Sequence, residues 1–166
     1  KHAYRYDASN IVREEQRIQL MRELVDRYRI DVEDEGEFIS SILSEISMVK
    51  GEMMSLEHYY SKNCSEEIFK KLYEGYNRGL ESKGLLDFDD MLVMCYQLFD
   101  QRKDILAAWQ RRYRFILIDE FQDINRVQYE IVKMLAAPEN NLFIVGDDDQ
   151  SIYRFRGAKP EIMLGF

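Results

Sequence analysis

The sequence predicts a mostly α-helical chain with a small parallel β portion over residues 115–146. Three observations carry this. Apolar residues recur three and four positions apart through most of the first 112 residues, the period of a helix with one inward face. Two apolar runs, Phe115-Ile116-Leu117-Ile118 and Leu142-Phe143-Ile144-Val145, show no alternation, which suits short parallel strands covered on both faces. Between them lies a helical pattern, so the order is helices first, then strand, helix, strand.

The first helix is expected from Ser9 to Tyr28, capped by Ser9 or Asn10, with Ile11, Ile18, Met21, Leu24, Val25 and Tyr28 inside. Asp31, Glu33, Asp34, Glu35 and Glu37 form an acidic run, read as a solvated face at the start of a second helix, where the helix dipole favours negative charge. That helix carries Phe38, Ile39, Ile42, Leu43, Ile46 and Val49 and stops near Gly51. Ser55 caps a short helix through Tyr60. Ser65 caps a longer one with Ile68, Phe69, Leu72, Tyr73, Tyr76 and Leu80, ending at Gly84, and its tyrosines are read as packing residues. Asp87 with Asp90 resembles a capping box, followed inward by Met91, Leu92, Cys95, Leu98 and Phe99. A helix around Ile105, Leu106 and Trp109 leads into the first strand. Asn125 caps a helix with Val127, Ile131, Val132, Met134 and Leu135 inside, and Pro138 with Asn140-Asn141 turns the chain into the second strand.

A strand buried on both faces can show polar residues only where it ends, and ligands of open α/β sheets sit outside those carboxyl ends. The two runs therefore deliver Asp119-Glu120 and Asp147 to Gln150 toward one sheet edge. One carboxylate there can hold Mg²⁺, which prefers oxygen ligands and keeps most of its waters, and the neighbour can orient an attacking water. Asp119 is assigned the metal and Glu120 the water; a plain polar turn is the competing reading. After Gln150 come Ser151-Ile152-Tyr153-Arg154-Phe155-Arg156-Gly157-Ala158, in which aromatic faces can stack on bases and arginines can hold phosphates. A hairpin edge or helix cap would use the same residue types.

These segments carry a resemblance. Ile118-Asp119-Glu120-Phe121-Gln122-Asp123-Ile124-Asn125 and Val145-Gly146-Asp147-Asp148-Asp149-Gln150 through Ala158 resemble motifs II and III of the UvrD/Rep family of superfamily 1 DNA helicases. Leu86-Asp87-Phe88-Asp89-Asp90-Met91-Leu92 resembles the segment preceding motif II, and order and spacing agree over roughly residues 5–166. The resemblance implies an α/β, P-loop NTPase motor core that binds ATP and Mg²⁺ and moves along single-stranded DNA. It implies Asp119 as Mg²⁺ ligand, Glu120 as catalytic base and Gln150 as γ-phosphate sensor. Tyr153 and Phe155 would stack on bases beside Arg156, with Phe88 on the DNA path. Phe155 stands where many relatives have Trp, and Phe121 and Ile124 where Tyr and Thr are commoner. Residues 1–112 would be a helical insertion subdomain and residues 113–166 part of a RecA-like motor domain.

No Gly-Lys dipeptide occurs, so the phosphate loop G-x-x-x-x-G-K-[ST] is missing from this stretch. A two-stranded parallel sheet is also too small to stand alone. The chain is therefore expected to be an excerpt, inactive by itself, whose partners include the remaining motor domains and possible duplex DNA at a junction. Its 166 residues, 46% hydrophobic and 33% charged, suffice for a core of one or two domains. The net charge of −8 argues against a generally sticky nucleic-acid binder. Local basic clusters, Arg102, Lys103, Arg111, Arg112 and Arg114, then Arg154, Arg156 and Lys159, can still bind phosphate. Cys64 and Cys95 are too far apart and too isolated for a metal site, and Cys95 is expected as a buried thiol. With no apolar run of spanning length and no signal peptide, a cytoplasmic location without membrane contact is expected. A non-catalytic nucleic-acid-binding or interaction module is the alternative function; intact Asp119, Glu120 and Gln150 argue against it. A motor fused to a nuclease is a third.

Overall fold

The computed structural model describes residues 10–147. Among the described residues six helices and two strands follow one another: α1 Glu14–Tyr28, α2 Glu35–Gly51, α3 Glu66–Ser82, α4 Phe88–Gln101, α5 Lys103–Arg112, β1 Ile116–Ile118, α6 Arg126–Ala136 and β2 Leu142–Ile144. Short 3₁₀ turns occupy Leu56–His58 and Phe121–Asp123. The chain divides into two compact units, Lys1–Ser47 with Ser55–Met91, and Met48–Met54 with Leu92–Phe166.

In the first unit, α1, α2 and α3 bury the apolar stripes read from the sequence: Met21, Leu24 and Val25; Ile39, Ile42 and Ile46; Phe69, Leu72, Tyr76 and Leu80. Each such side chain contributes about 2 kcal/mol through apolar area removed from water. The acidic run does start α2: Asp34 Oδ1 accepts from the Glu37 amide at 2.9 Å, and Arg22 pairs with Glu35 at 3.0 Å. Ser65 Oγ accepts from the Ile68 amide at 3.3 Å and opens α3. Gly84, at φ +64°, closes it. There the Gly84 amide donates to the Glu81 carbonyl and the Leu85 amide to the Leu80 carbonyl, the paired bonds of a left-handed helix end. The α3 tyrosines pack, as expected.

Helix α1 starts later than the sequence suggested. Ile11 instead bridges Leu86 in parallel; the Leu86 amide donates to the Asn10 carbonyl and the Val12 amide to the Leu86 carbonyl, both at 2.9 Å. These long-range bonds outcompete the helical start that Asn10 could have capped, and Gln16 instead accepts from the Arg13 amide at 2.9 Å. Ser9 lies outside the described residues.

In the second unit β1 and β2 pair in parallel, Ile116 with Leu142, Leu117 with Phe143 and Ile118 with Ile144, with α6 as the crossover. The strands were expected to be buried on both faces. One face is half-buried, and the other is open, with Leu117 73% and Phe143 61% exposed, because the described residues supply no layer over it. On α4, Phe99 is buried, Leu98 is exposed and Cys95 is half-buried rather than buried. Helix α6 begins on a reciprocal cap: Asn125 Oδ1 accepts from the Gln128 amide at 3.0 Å and Gln128 Oε1 from the Asn125 amide at 2.9 Å. The end of α2 belongs here too, since Glu52 Oε1 accepts from the Arg126 amide at 3.3 Å, placing a buried carboxylate at the α6 N-terminus.

Candidate active site

The ladder between the strands continues past their ends. Val145 donates its amide to the Ile118 carbonyl at 2.8 Å, and the Phe121 amide donates to the Val145 carbonyl at 2.9 Å. Between these two bonds the chain must turn at Asp119-Glu120, and both side chains are exposed at the carboxyl edge of the sheet. Glu120 takes the turn in the left-handed region, φ 51° and ψ 41°, a conformation that costs a non-glycine residue about 1–2 kcal/mol. Asp119 Oδ1 accepts from the Glu120 amide at 2.9 Å and steadies it.

Gln122 ties this turn to the loop after β2. Its Nε2 donates to Glu120 Oε2 at 2.6 Å, and its Oε1 accepts from the Asp147 amide at 2.9 Å. The second bond needs Gly146: a Cβ there would lie 2.5 Å from Gln122 Oε1 and 3.1 Å from the Phe121 nitrogen. Asp119-Glu120 and Asp147 are thus brought to one edge, as the strand reading required. Asp123 follows with its Oδ1 buried and without a hydrogen-bond partner among the described residues. Burial first, then the Glu120 charge, pushes the Asp123 carboxyl up.

Asp119 presents carboxylate oxygens of the kind Mg²⁺ accepts, and that ion needs only one or two carboxylates besides its waters. Among the described residues no three His, Cys, Asp or Glu side chains converge as a metal cage. Gln150, Tyr153, Phe155 and Arg156 lie outside the described residues. Phe88, in the first unit, is the first residue of α4 and 63% exposed. It follows Asp87, which is buried and capped reciprocally: Asp87 Oδ1 accepts from the Asp90 amide at 2.7 Å and Asp90 Oδ2 from the Asp87 amide at 3.3 Å. The basic cluster before β1 is partly neutralised, with Arg102 on Asp104 at 2.7 Å, Lys103 on Asp100 at 3.2 Å and Arg114 on Glu139 at 3.5 Å. Arg112 lies over the Trp109 and Tyr113 rings.

Sequence reasoning assigned no role to Gln122 or Glu52. No periodicity marks either, because each acts on a partner distant in the chain; the one available signal was Gly146, a glycine directly after a strand, which often marks close backbone approach.

Parallel strands joined by a crossover helix, with carboxylates at their carboxyl ends, are the architecture of α/β ligand sites. The family model described as the UvrD/REP helicase N-terminal domain matches residues 1–166, and the chain belongs to that family, which has a P-loop NTPase core. The chain is similar to YjcD of Bacillus subtilis (strain 168), 45% identical over 139 residues, or 84% of this chain and 18% of that protein. It is 40% identical to the ATP-dependent DNA helicase PcrA of the same organism over 76% of this chain and 17% of PcrA. With the ATP-dependent DNA helicase Rep of Escherichia coli (strain K12) it shares 34% identity over 80% of this chain and 20% of Rep. The chain thus spans about a fifth of the length of the curated relatives it matches. No helix among the described residues is long and apolar enough to cross a membrane.

Proposed function

We propose that this chain is the part of a cytoplasmic ATP-dependent DNA helicase that holds the catalytic carboxylates and part of the single-stranded DNA path. The observation that carries the reading is the convergence of Asp119-Glu120 and Asp147 on one sheet edge, in a chain of the UvrD/Rep family. Residues 1–112 are read as the helical insertion subdomain and residues 113–166 as a portion of the first motor domain. Asp119 would hold Mg²⁺, which when bound neutralises charge on the ATP phosphates. Glu120 orients the attacking water and accepts its proton at the carboxylate. Gln150 senses the γ-phosphate, Tyr153 and Phe155 stack on bases, Arg156 holds backbone phosphate, and Phe88 meets the DNA from α4. The phosphate loop, the second motor domain and any duplex contact at a junction come from outside these residues.

The test is single-stranded-DNA-stimulated ATP hydrolysis by a full-length helicase carrying this segment. Glu120→Gln is expected to lower kcat by about 100-fold or more while DNA affinity is kept. The segment alone, without a phosphate loop, gives no turnover. Persistent hydrolysis by Glu120→Gln would remove Glu120 from its role.

A further inference from the structure

We propose that Gln122 is a positioning residue for hydrolysis: it fixes the Glu120 carboxylate and fastens it to the loop after β2. The proposal rests on the reading of Glu120 as the base. Gln122 is 1% exposed, so both ends of its amide must find partners or leave a buried polar group unsatisfied, at about 1–3 kcal/mol. Both ends do. The amide can be oriented only one way, because the Asp147 N–H requires an acceptor and the Glu120 carboxylate requires a donor. The bond to Glu120, at 2.6 Å, is short and charge-assisted.

Three further features show that the link is built. Glu120 occupies the left-handed region, so its side-chain direction is set by surrounding contacts rather than by backbone preference. The Phe121 amide is held by the Val145 carbonyl, which fixes where the Gln122 side chain starts. Gly146 has no Cβ, and only so can the Asp147 amide reach Gln122 Oε1. One buried side chain therefore joins the base to Asp147 in the loop after β2, three residues before Gln150 in sequence. A shift in the β2 loop would be passed to the carboxylate of Glu120 through two hydrogen bonds.

The experiment compares Gln122→Glu and Gln122→Met in a full-length helicase carrying this segment, with Glu120→Gln alongside, measuring kcat and KM for ATP at saturating single-stranded DNA and melting temperature. Gln122→Glu retains an acceptor for the Asp147 amide but turns a carboxylate toward Glu120; Gln122→Met abolishes both bonds at similar volume. Each is expected to lower kcat about 10- to 100-fold, the scale of a misplaced catalytic group. KM for ATP should stay within about threefold, because the lost contact acts on the reacting water and not on nucleotide binding. Wild-type kcat in either folded variant, with Glu120→Gln inactive, overturns the proposal alone. Hydrolysis persisting in Glu120→Gln overturns the underlying reading and the proposal with it. If kcat and melting temperature fall while KM for ATP rises well beyond threefold, or neither variant folds, Gln122 is scaffold and the proposal is overturned.

Discussion

Replacing Tyr76 by Phe removes one oxygen atom from the middle of a buried charged network. The Tyr76 hydroxyl accepts from Arg17 Nε at 2.8 Å and hydrogen bonds the buried Asp87 carboxylate as donor. Phe fills the same space, so packing is kept. Hydrogen bonds to charged groups contribute about 1.5–3 kcal/mol each, but the two share one hydroxyl and each partner has other support. Arg17 retains Ser47 at 3.3 Å and Glu14 at 3.0 Å, and Asp87 retains the Asp90 amide at 2.7 Å. The expected loss is therefore about 2–3 kcal/mol, read as a fall in the urea midpoint at unchanged m-value. The pH dependence supplies a second check. Burial pushes the Tyr76 phenol above its ordinary value, and the Asp87 charge adds to this while Arg17 opposes it. A folded value above the unfolded one, near 10, means that the stabilising contribution is complete below about pH 10 and is lost as pH rises through the folded value. The gap between wild type and Tyr76→Phe should hold constant up to about pH 9 and narrow only as pH rises beyond about pH 10. A loss under about 0.5 kcal/mol, or a gap that widens with pH, refutes the reasoning.

Asn125→Ala breaks the reciprocal cap of α6 and should destabilise the chain by about 1 kcal/mol, since Glu52 still meets the Arg126 amide; a urea titration measures it. Phe88→Ala removes an exposed ring, so stability should stay within about 0.5 kcal/mol. On the function proposed above, the same change in a full-length protein carrying this segment should weaken single-stranded DNA binding by about 1–3 kcal/mol in fluorescence anisotropy, and unchanged affinity would take Phe88 off the DNA path.

Helix interiors were legible because burial follows a local period. Ser65, Asp87 with Asp90, and Asn125 were legible because a cap acts three residues away, inside one window of sequence. The start of α1 was not: Ile11 pairs with Leu86, and no local rule weighs a bond to a residue so distant. The strands mislead in an instructive way. Leu117 and Phe143 are apolar on the face that stays open among the described residues, so their composition answers to cover that this sheet does not itself provide. On the function proposed above, the remaining motor strands and helices supply that cover.

At the candidate site the placement of the carboxylates was legible and what aims them was not. A buried strand permits carboxylates only at its end, so Asp119 and Glu120 stood out by position. What aims them lies elsewhere: the Val145 carbonyl holding the turn, the Asp147 amide across the gap and the missing Cβ of Gly146. Glu120 alone would not hold a left-handed turn, because the backbone penalty favours relaxation unless several contacts oppose it. Residue type therefore tells which carboxylates reach the sheet edge, whereas their direction is a property of two loops that only the fold brings together.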